Sequence, residues 1–128
     1  MLVADLKKSF SCNKITDLKE VLMIRYENGL NTFIIGNQDE PYPCINLSVN
    51  GDLANIMYLP NEDHPGYQSI NDNNGLDTNL TTKFCMGYVT ELFDISNRYV
   101  ISFSKAYEAA IEFFETSTMP RCIEWYEL

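Results

Sequence analysis

Carboxylates are the most abundant side chains in this sequence that could take part in chemistry or binding. The 128 residues include 18 Asp and Glu against nine Lys and Arg, which gives a formal net charge of −9. No Lys or Arg occurs between Tyr26 and Thr82, and eight carboxylates lie in that interval: Glu27, Asp39, Glu40, Asp52, Glu62, Asp63, Asp72 and Asp77. Such a field repels nucleic acid and anionic membranes and attracts a basic partner, although acidic surfaces also serve simply to keep proteins soluble. We therefore expect no direct contact with nucleic acid or a membrane.

Nucleophilic catalysis is the other chemistry to consider. His64 is the single histidine, and the four cysteines have no C-x-x-C spacing. A Cys–His pair between His64 and Cys44 or Cys85 would make a small cysteine-dependent hydrolase, since such pairs form in space rather than along the chain. However, the position of His64 between Asp63 and Pro65 is more typical of a residue that braces a turn. Scattered cysteines in a chain of this kind are usually buried thiols rather than zinc ligands.

Recognisable catalytic motifs are missing from the sequence. It contains no G-x-S-x-G, no glycine-rich phosphate loop and no H-E-x-x-H, the patterns that would indicate a hydrolase, a nucleotide site or a metalloprotease. We therefore predict a protein that is not an enzyme, with no catalytic residue, cofactor or metal ion, and the hydrolase is kept as the alternative. The sequence shows neither a signal peptide nor an apolar run long enough to cross a membrane, so a cytoplasmic location is expected.

The stretch from Cys44 to Ser69 is predicted to be the hairpin around which the fold is organised. Apolar and polar residues alternate on both sides of Asn50-Gly51, a strong signal for a two-residue turn. With that turn, Val49 would face Asp52 and Leu47 would face Ala54. The buried face then consists of Ile45, Leu47, Val49, Ala54, Ile56 and Tyr58. The opposite face holds Leu53, Met57 and Leu59, so we expect the second strand to be central and partly covered on both sides.

The remaining elements follow from local patterns along the chain. Before the hairpin, these patterns predict an edge strand from Leu2, a helix capped by Asp17 and running to Gly29, and a strand over Leu30–Ile35. After it, they predict a third strand of the hairpin sheet over Tyr67–Ile70, an exposed mobile loop over Ile70–Thr82, and strands on both sides of Gly87 that continue the sheet. The chain is then predicted to form a helix capped by Ser102 or Ser104 and a last strand within Arg121–Tyr126. Together they predict one α+β domain over residues 1–128, with a largely antiparallel sheet of six or seven strands and two helices packed on it.

Four short segments carry a resemblance to a known family. They are Gly51-Asp52-x-Ala54-x-Ile56-x-Tyr58, Gly66-Tyr67-x-Ser69, a helix with Ala106, Ala110 and Phe113, and Pro120-x-x-Ile123-x-Trp125. In this order they resemble immunity protein family one of bacterial polymorphic toxin systems, which includes immunity proteins of contact-dependent growth inhibition. The chain departs from the family pattern at Ser102, where a proline is expected. The resemblance implies a small cytosolic α+β protein that binds and neutralises a cognate toxin, often a deaminase or a nuclease.

The charge pattern and the resemblance lead to one hypothesis about the site. A toxin that acts on nucleic acid needs a basic cleft, and an acidic inhibitor gains association rate and selectivity by covering it. We predict that the basic C-terminal domain of the cognate toxin is bound through carboxylates with two aromatic anchors: Asp39, Glu40, Glu62, Asp63, Asp72 and Asp77, with Tyr42 and Tyr67. The second alternative is an acidic adaptor module that binds a basic protein unrelated to toxins.

Overall fold

The computed structural model describes residues 1–86 and 88–128, with the backbone alone at 88–90. The order of the elements is β1 (Leu2–Ala4), β2 (Ser9–Ser11), α1 (Ile15–Val21), β3 (Leu30–Gly36), β4 (Cys44–Asn50), β5 (Leu53–Leu59), β6 (Tyr67–Ser69), β7 (Thr81–Met86), β8 (Tyr88–Ser96), β9 (Ile101–Ser102), α2 (Phe103–Thr116) and β10 (Trp125–Glu127). Single 3₁₀ turns precede β3 and β9. Within the described part of the chain, no helix is long and apolar enough to cross a membrane.

Most strands join one antiparallel sheet, called here the main sheet. Its order is β10-β6-β5-β4-β3-β1-β2, and β9 pairs with the start of β5. The predicted α+β class with a large antiparallel sheet and two helices is therefore confirmed. The first strand is not the edge as predicted, because β2 folds back on β1 and takes the edge position, with Val3 opposite Phe10. β1 is instead internal, and Val3 lies fully buried beneath the helices.

The helices cover one face of the main sheet and close the hydrophobic core. α2 packs against β3, β4 and β5, and α1 packs against α2. The apolar side of α2 places Ala106, Ala110 and Phe113 against the sheet with no exposed surface, as its helical spacing predicts. The Phe113 ring meets Tyr58 of β5 edge-on, with ring centroids 6.2 Å apart. Burial of this face is the main source of stability for so small a domain.

β7 and β8 form a separate two-stranded hairpin on the other face of the main sheet. The prediction that they continue the sheet is wrong, and Gly87, which lies between them, is outside the described residues. The hairpin is held by side chains of the main sheet. The hydroxyl of Thr32 donates a hydrogen bond to the backbone carbonyl of Cys85 at 2.7 Å, and the side-chain amide of Asn50 donates one to the backbone carbonyl of Lys83 at 2.8 Å. Phe84 gains full burial by lying across the sheet, which edge pairing would not provide.

The register of the central hairpin differs from the prediction by two residues. Asn50 pairs with Leu53 and Val49 with Ala54, so the turn consists of Gly51 and Asp52. Asn50 stays in the strand because its side chain is bonded to the β7 backbone, while Gly51 takes the positive φ of 58° that favours glycine. Because side chains alternate between the two faces of a sheet, a shift of two residues leaves every side chain on its predicted face. The predicted buried face of the hairpin is therefore confirmed in full.

α1 begins earlier and ends sooner than predicted. Its N-cap is Lys14, and Asp17 lies inside the first turn, where its carboxylate accepts the backbone N–H groups of Asn13 and Lys14 at 3.1 and 3.0 Å. The helix ends at Val21 rather than near Gly29. Past its end, the Arg25 guanidinium donates to backbone carbonyls, a common way to satisfy the last turn of a helix.

Asp5 ties the N-terminal hairpin to the main sheet. Its carboxylate accepts the hydroxyl of Tyr26 at 2.7 Å, the amide of Asn31 at 3.3 Å, and the N–H groups of Lys7 and Lys8 at 2.8 and 3.0 Å. Burial alone would raise the pKa of Asp5, but these hydrogen bonds outweigh it and hold that pKa below its usual value. The same contact and burial raise the pKa of Tyr26 to about 12. The charged carboxylate of Asp5 thus joins the β1–β2 turn to Tyr26 and Asn31 by hydrogen bonds.

We expect Asp5→Asn to lower the free energy of unfolding at pH 7 by about 1–3 kcal/mol, because a neutral amide accepts these hydrogen bonds less well. The folded-state pKa lies below the unfolded value of about 3.9, so the stabilisation is present above that pH and is lost as the pH falls through the folded pKa. Urea unfolding from pH 7 to pH 3 measures the narrowing difference between parent and variant. Asp39→Asn, in an exposed loop, is the control. Equal stabilities at pH 7 would contradict this role of Asp5.

Candidate functional site

The eight predicted binding residues do not form one cluster. Because Gly36 pairs with Cys44 and Cys44 with Leu59, the β3–β4 and β5–β6 loops leave the same end of the main sheet. That end carries Asp39, Glu40 and Tyr42 on the first loop, Glu62, Asp63 and Tyr67 on or beside the second, and Glu127 on β10. Asp72 and Asp77 lie at the opposite end, about 20 Å away along seven-residue strands. Six of the eight predicted residues are thus brought together.

The end with the two loops is called here the acidic end and is defined by Asp39, Glu40, Glu62, Asp63 and Glu127. Its two loops are about two strand spacings apart, roughly 10 Å. The four loop carboxylates are exposed. Ion pairs among the described residues join Lys83 to Asp94 and Lys105 to Glu108, and neither includes a loop carboxylate. These charges therefore add to a negative field that intramolecular cations do not cancel.

Asp72 and Asp77 have roles within the fold at the other end of the sheet. A carboxylate oxygen of Asp72 accepts the hydroxyl of Ser102 at 2.9 Å and its N–H at 3.4 Å, at the start of α2. A negative charge there interacts favourably with the helix dipole. Asp77 accepts the N–H of Asn79 at 2.9 Å in a local turn. The structure does not bring either residue to the acidic end.

The loop over Ile70–Thr82 is exposed at its carboxylates, as predicted, but asparagines fix its path. The side-chain amide of Asn71 donates to the carbonyl of Asn97 at 2.8 Å, and that of Asn74 donates to the carbonyl of Val100 at 3.0 Å. Asn97 is buried and its amide donates to the carbonyl of Asp77 at 2.9 Å. The many Asn residues that suggested mobility instead supply the bonds that shape the loop.

The β5–β6 loop is shaped by its own polar groups. The Asn61 side chain accepts the N–H groups of Asp63 and His64 at 2.9 and 3.0 Å. Nδ1 of His64 accepts the N–H of Gly66 at 2.8 Å, so the ring proton is on Nε2, which donates to Glu127 at 2.8 Å. His64 therefore braces the turn, as its sequence position indicates, and presents Glu62 and Asp63 outward on a fixed loop.

The two predicted aromatic anchors differ in how free they are to bind a partner. Tyr67 stacks on His64 with ring centroids 4.8 Å apart, and its ring centroid lies 6.3 Å from that of Tyr58. Burial, the carboxylate of Glu127 and its hydrogen bond raise the pKa of Tyr67. Tyr67 is thus mainly part of the scaffold, whereas Tyr42 lies half-buried on the β3–β4 loop.

The geometry argues against the cysteine-hydrolase alternative. Burial raises the pKa of the Cys44 and Cys85 thiols, whereas a nucleophilic cysteine needs a lowered pKa. Both ring nitrogens of His64 are engaged, with Gly66 and Glu127. In the part of the chain that the structure describes, no group of three His, Cys, Asp or Glu side chains could hold a metal ion.

A feature that sequence reasoning missed is an apolar groove on the face opposite the helices. It lies between the main sheet and the β7–β8 hairpin, has a volume of about 370 Å³, and is called here the outer groove. It is defined by Ile34, Asn46, Met57, Gln68, Met86 and Phe93. Ile34 and Met86 are 51% and 60% exposed. The signal was the apolar residues on the outward face of β5, Leu53, Met57 and Leu59, which are half-buried as predicted; the part of this face that the hairpin leaves open was not read as a groove.

The structure thus describes a small α+β protein with one strongly acidic end and no assembled catalytic centre among the described residues. No protein-family model matches the chain. The chain is 25% identical over 128 residues to the double-stranded DNA deaminase immunity protein of Burkholderia cenocepacia (strain H111), and the alignment covers 100% of both chains. That relative is by name an immunity protein and not an enzyme, in agreement with the prediction that this chain is not an enzyme.

Thiol labelling tests the assignment of Cys44 and Cys85 as unactivated. With iodoacetamide at pH 6, we expect neither to react faster than a model thiol, because burial shields both and raises their pKa. Cys122, which is exposed, is expected to label first at pH 8. Mass spectrometry of the labelled peptides measures each site, with the urea-unfolded protein as the control for intrinsic reactivity. Rapid labelling of Cys44 or Cys85 at pH 6 would revive the hydrolase.

Proposed function

We propose that this chain is an immunity protein that binds and neutralises a cognate toxin, and that the toxin is a nucleic-acid-acting deaminase. The similarity over the full length of the double-stranded DNA deaminase immunity protein is the observation that carries this proposal. The residues that resemble immunity protein family one support it independently and extend it to a polymorphic toxin system, such as contact-dependent growth inhibition. The partner is then the C-terminal toxin domain, and neutralisation takes place in the cytoplasm.

The physical mechanism proposed is electrostatic occlusion. An enzyme that acts on DNA must attract phosphates and therefore presents a basic cleft. The acidic end offers Asp39, Glu40, Glu62 and Asp63 on two loops that project from one end of a well-packed sheet. Preorganised charges of opposite sign speed the encounter and restrict the choice of partner. Covering the cleft would exclude the nucleic acid without any chemistry by the inhibitor.

The acidic end replaces the larger site predicted from the sequence. Asp72 and Asp77 are omitted from it because they face the other end and support α2 and a local turn. Tyr42 is kept as an anchor, since large aromatic side chains dominate the energetics of such interfaces. An acidic adaptor with an unrelated basic partner would share the charged surface, but it would not neutralise a toxin.

We expect the combined variant Asp39→Asn, Glu40→Gln, Glu62→Gln and Asp63→Asn to associate with the cognate deaminase domain about tenfold more slowly at low salt. The change removes the field that steers a basic partner to this surface. Stopped-flow fluorescence at two ionic strengths, with the purified cognate deaminase domain, measures the association rate. The difference from the parent should shrink at high salt because the charges are then screened.

A matched variant provides the control for total charge. Glu20, Glu27, Asp52 and Glu124 are all exposed, and Glu27 and Asp52 lie at the opposite end of the main sheet from the acidic end. Their replacement by the corresponding amides removes the same four charges. This variant should associate within about twofold of the parent, since screened charges at a distance contribute little. If both variants slowed equally, the acidic end would have no special role. If the parent left the deaminase active on DNA, the proposed function itself would fail.

A further inference from the structure

The outer groove is an exposed apolar surface that the packing of the fold does not explain. Ile34 and Met57 project from β3 and β5 on either side of Asn46, with which both are paired across the sheet. Met86 and Phe93 face them from the β7–β8 hairpin. Contiguous exposed apolar surface of this kind in a small protein commonly marks a binding site.

The outer groove is continuous with the acidic end. Ile34 also lines a second hollow of about 340 Å³, whose other walls include Leu2, Gly36, Asp39 and Glu40. The two hollows therefore share the Ile34 side chain, and the carboxylates of the β3–β4 loop border the same surface. An apolar floor with a negatively charged rim is complementary to an apolar side chain that is followed by a cation.

We propose that the outer groove is the docking site for a segment of the toxin in which a large apolar side chain is followed by Lys or Arg. The apolar side chain lies between Ile34 and Met86, and the basic residue reaches Asp39 or Glu40. This inference rests on the proposed function and adds the surface and the chemistry of the recognised segment. It extends the interface from the loops at the acidic end onto the outer face of the sheet.

Asn46 gives the groove a means of selecting its occupant. Its side-chain oxygen is buried and has no hydrogen-bond partner among the described residues. A buried acceptor without a donor is unfavourable, so a partner N–H that reaches this amide gains more than one at an open surface. The requirement for a donor beside an apolar side chain fits a peptide segment better than a purely apolar ligand.

A second copy of this chain fits the groove poorly. In a symmetric dimer the same surface meets itself, so the Asp39 and Glu40 of one copy would approach those of the other. Like charges in contact oppose association. A basic partner meets no such repulsion.

Two methionines of nearly equal exposure give a matched test. Met86, in the groove, is 60% exposed, and Met23, after α1 on the helical side, is 61% exposed. Met86→Gln and Ile34→Gln remove apolar contact while keeping similar bulk, and Met23→Gln makes the same chemical change elsewhere. Each variant is titrated with the purified cognate deaminase domain by isothermal titration calorimetry, and circular dichroism verifies its fold. Met86→Gln remains informative if Ile34→Gln, in a central strand, does not fold.

The expected result is a dissociation constant raised about 30-fold by each groove variant and unchanged by Met23→Gln, as for residues at the centre of an interface. Groove variants that bind the deaminase as tightly as the parent would overturn the inference and leave the proposed function intact. Failure of the parent to bind would overturn both. Sedimentation of the parent alone as a dimer that Met86→Gln dissociates would also overturn the inference, because the groove would then join two copies of this chain.

Discussion

Strict alternation of side chains along β3, β4 and β5 is the constraint on which the rest of this structure depends. The three strands are paired over seven residues each, so every residue is assigned to one face or the other. The helices fix which face is the core, with Phe33, Leu47 and Ile56 fully buried there. The residues that alternate with the buried ones along each strand must then lie on the opposite face of the sheet. The outer groove, with Ile34 and Met57, is thus a consequence of the same pairing that builds the core.

The antiparallel connections decide where the charges lie. In consecutive antiparallel strands every second connection emerges at the same end, so the β3–β4 and β5–β6 loops share one end while the β4–β5 turn lies at the other. Carboxylates 22 to 24 residues apart in the sequence thereby become neighbours across about 10 Å. Glu127 of β10 joins them because that strand pairs with β6, and His64 of the β5–β6 loop is hydrogen-bonded to Glu127 through Nε2.

The sequence predicted what depends on local pattern and missed what depends on long-range pairing. The buried face of the hairpin and the N-cap of α2 at Ser102 were correct because both follow from a few neighbouring residues. The hairpin register was wrong because it depends on the bond from Asn50 to β7, which is distant in the sequence. The charge pattern showed that acidic residues dominate the middle of the chain, but not that Asp72 would support α2 at the far end of the sheet.

The proposed interface, an acidic rim beside an apolar groove, would divide recognition into two physical tasks. Charge acts over about 8 Å at physiological salt and governs how fast partners meet, whereas apolar contact acts only on touching and governs how long they stay together. An inhibitor of a toxin needs both, since unbound toxin is harmful and a released toxin is harmful again. The two surfaces can act together only if the acidic rim and the apolar groove are both held in fixed positions on the sheet. The hydrogen bonds within the β5–β6 loop fix the positions of Glu62 and Asp63, and the bond from Thr32 holds the β7–β8 hairpin, which forms one wall of the groove, on the main sheet.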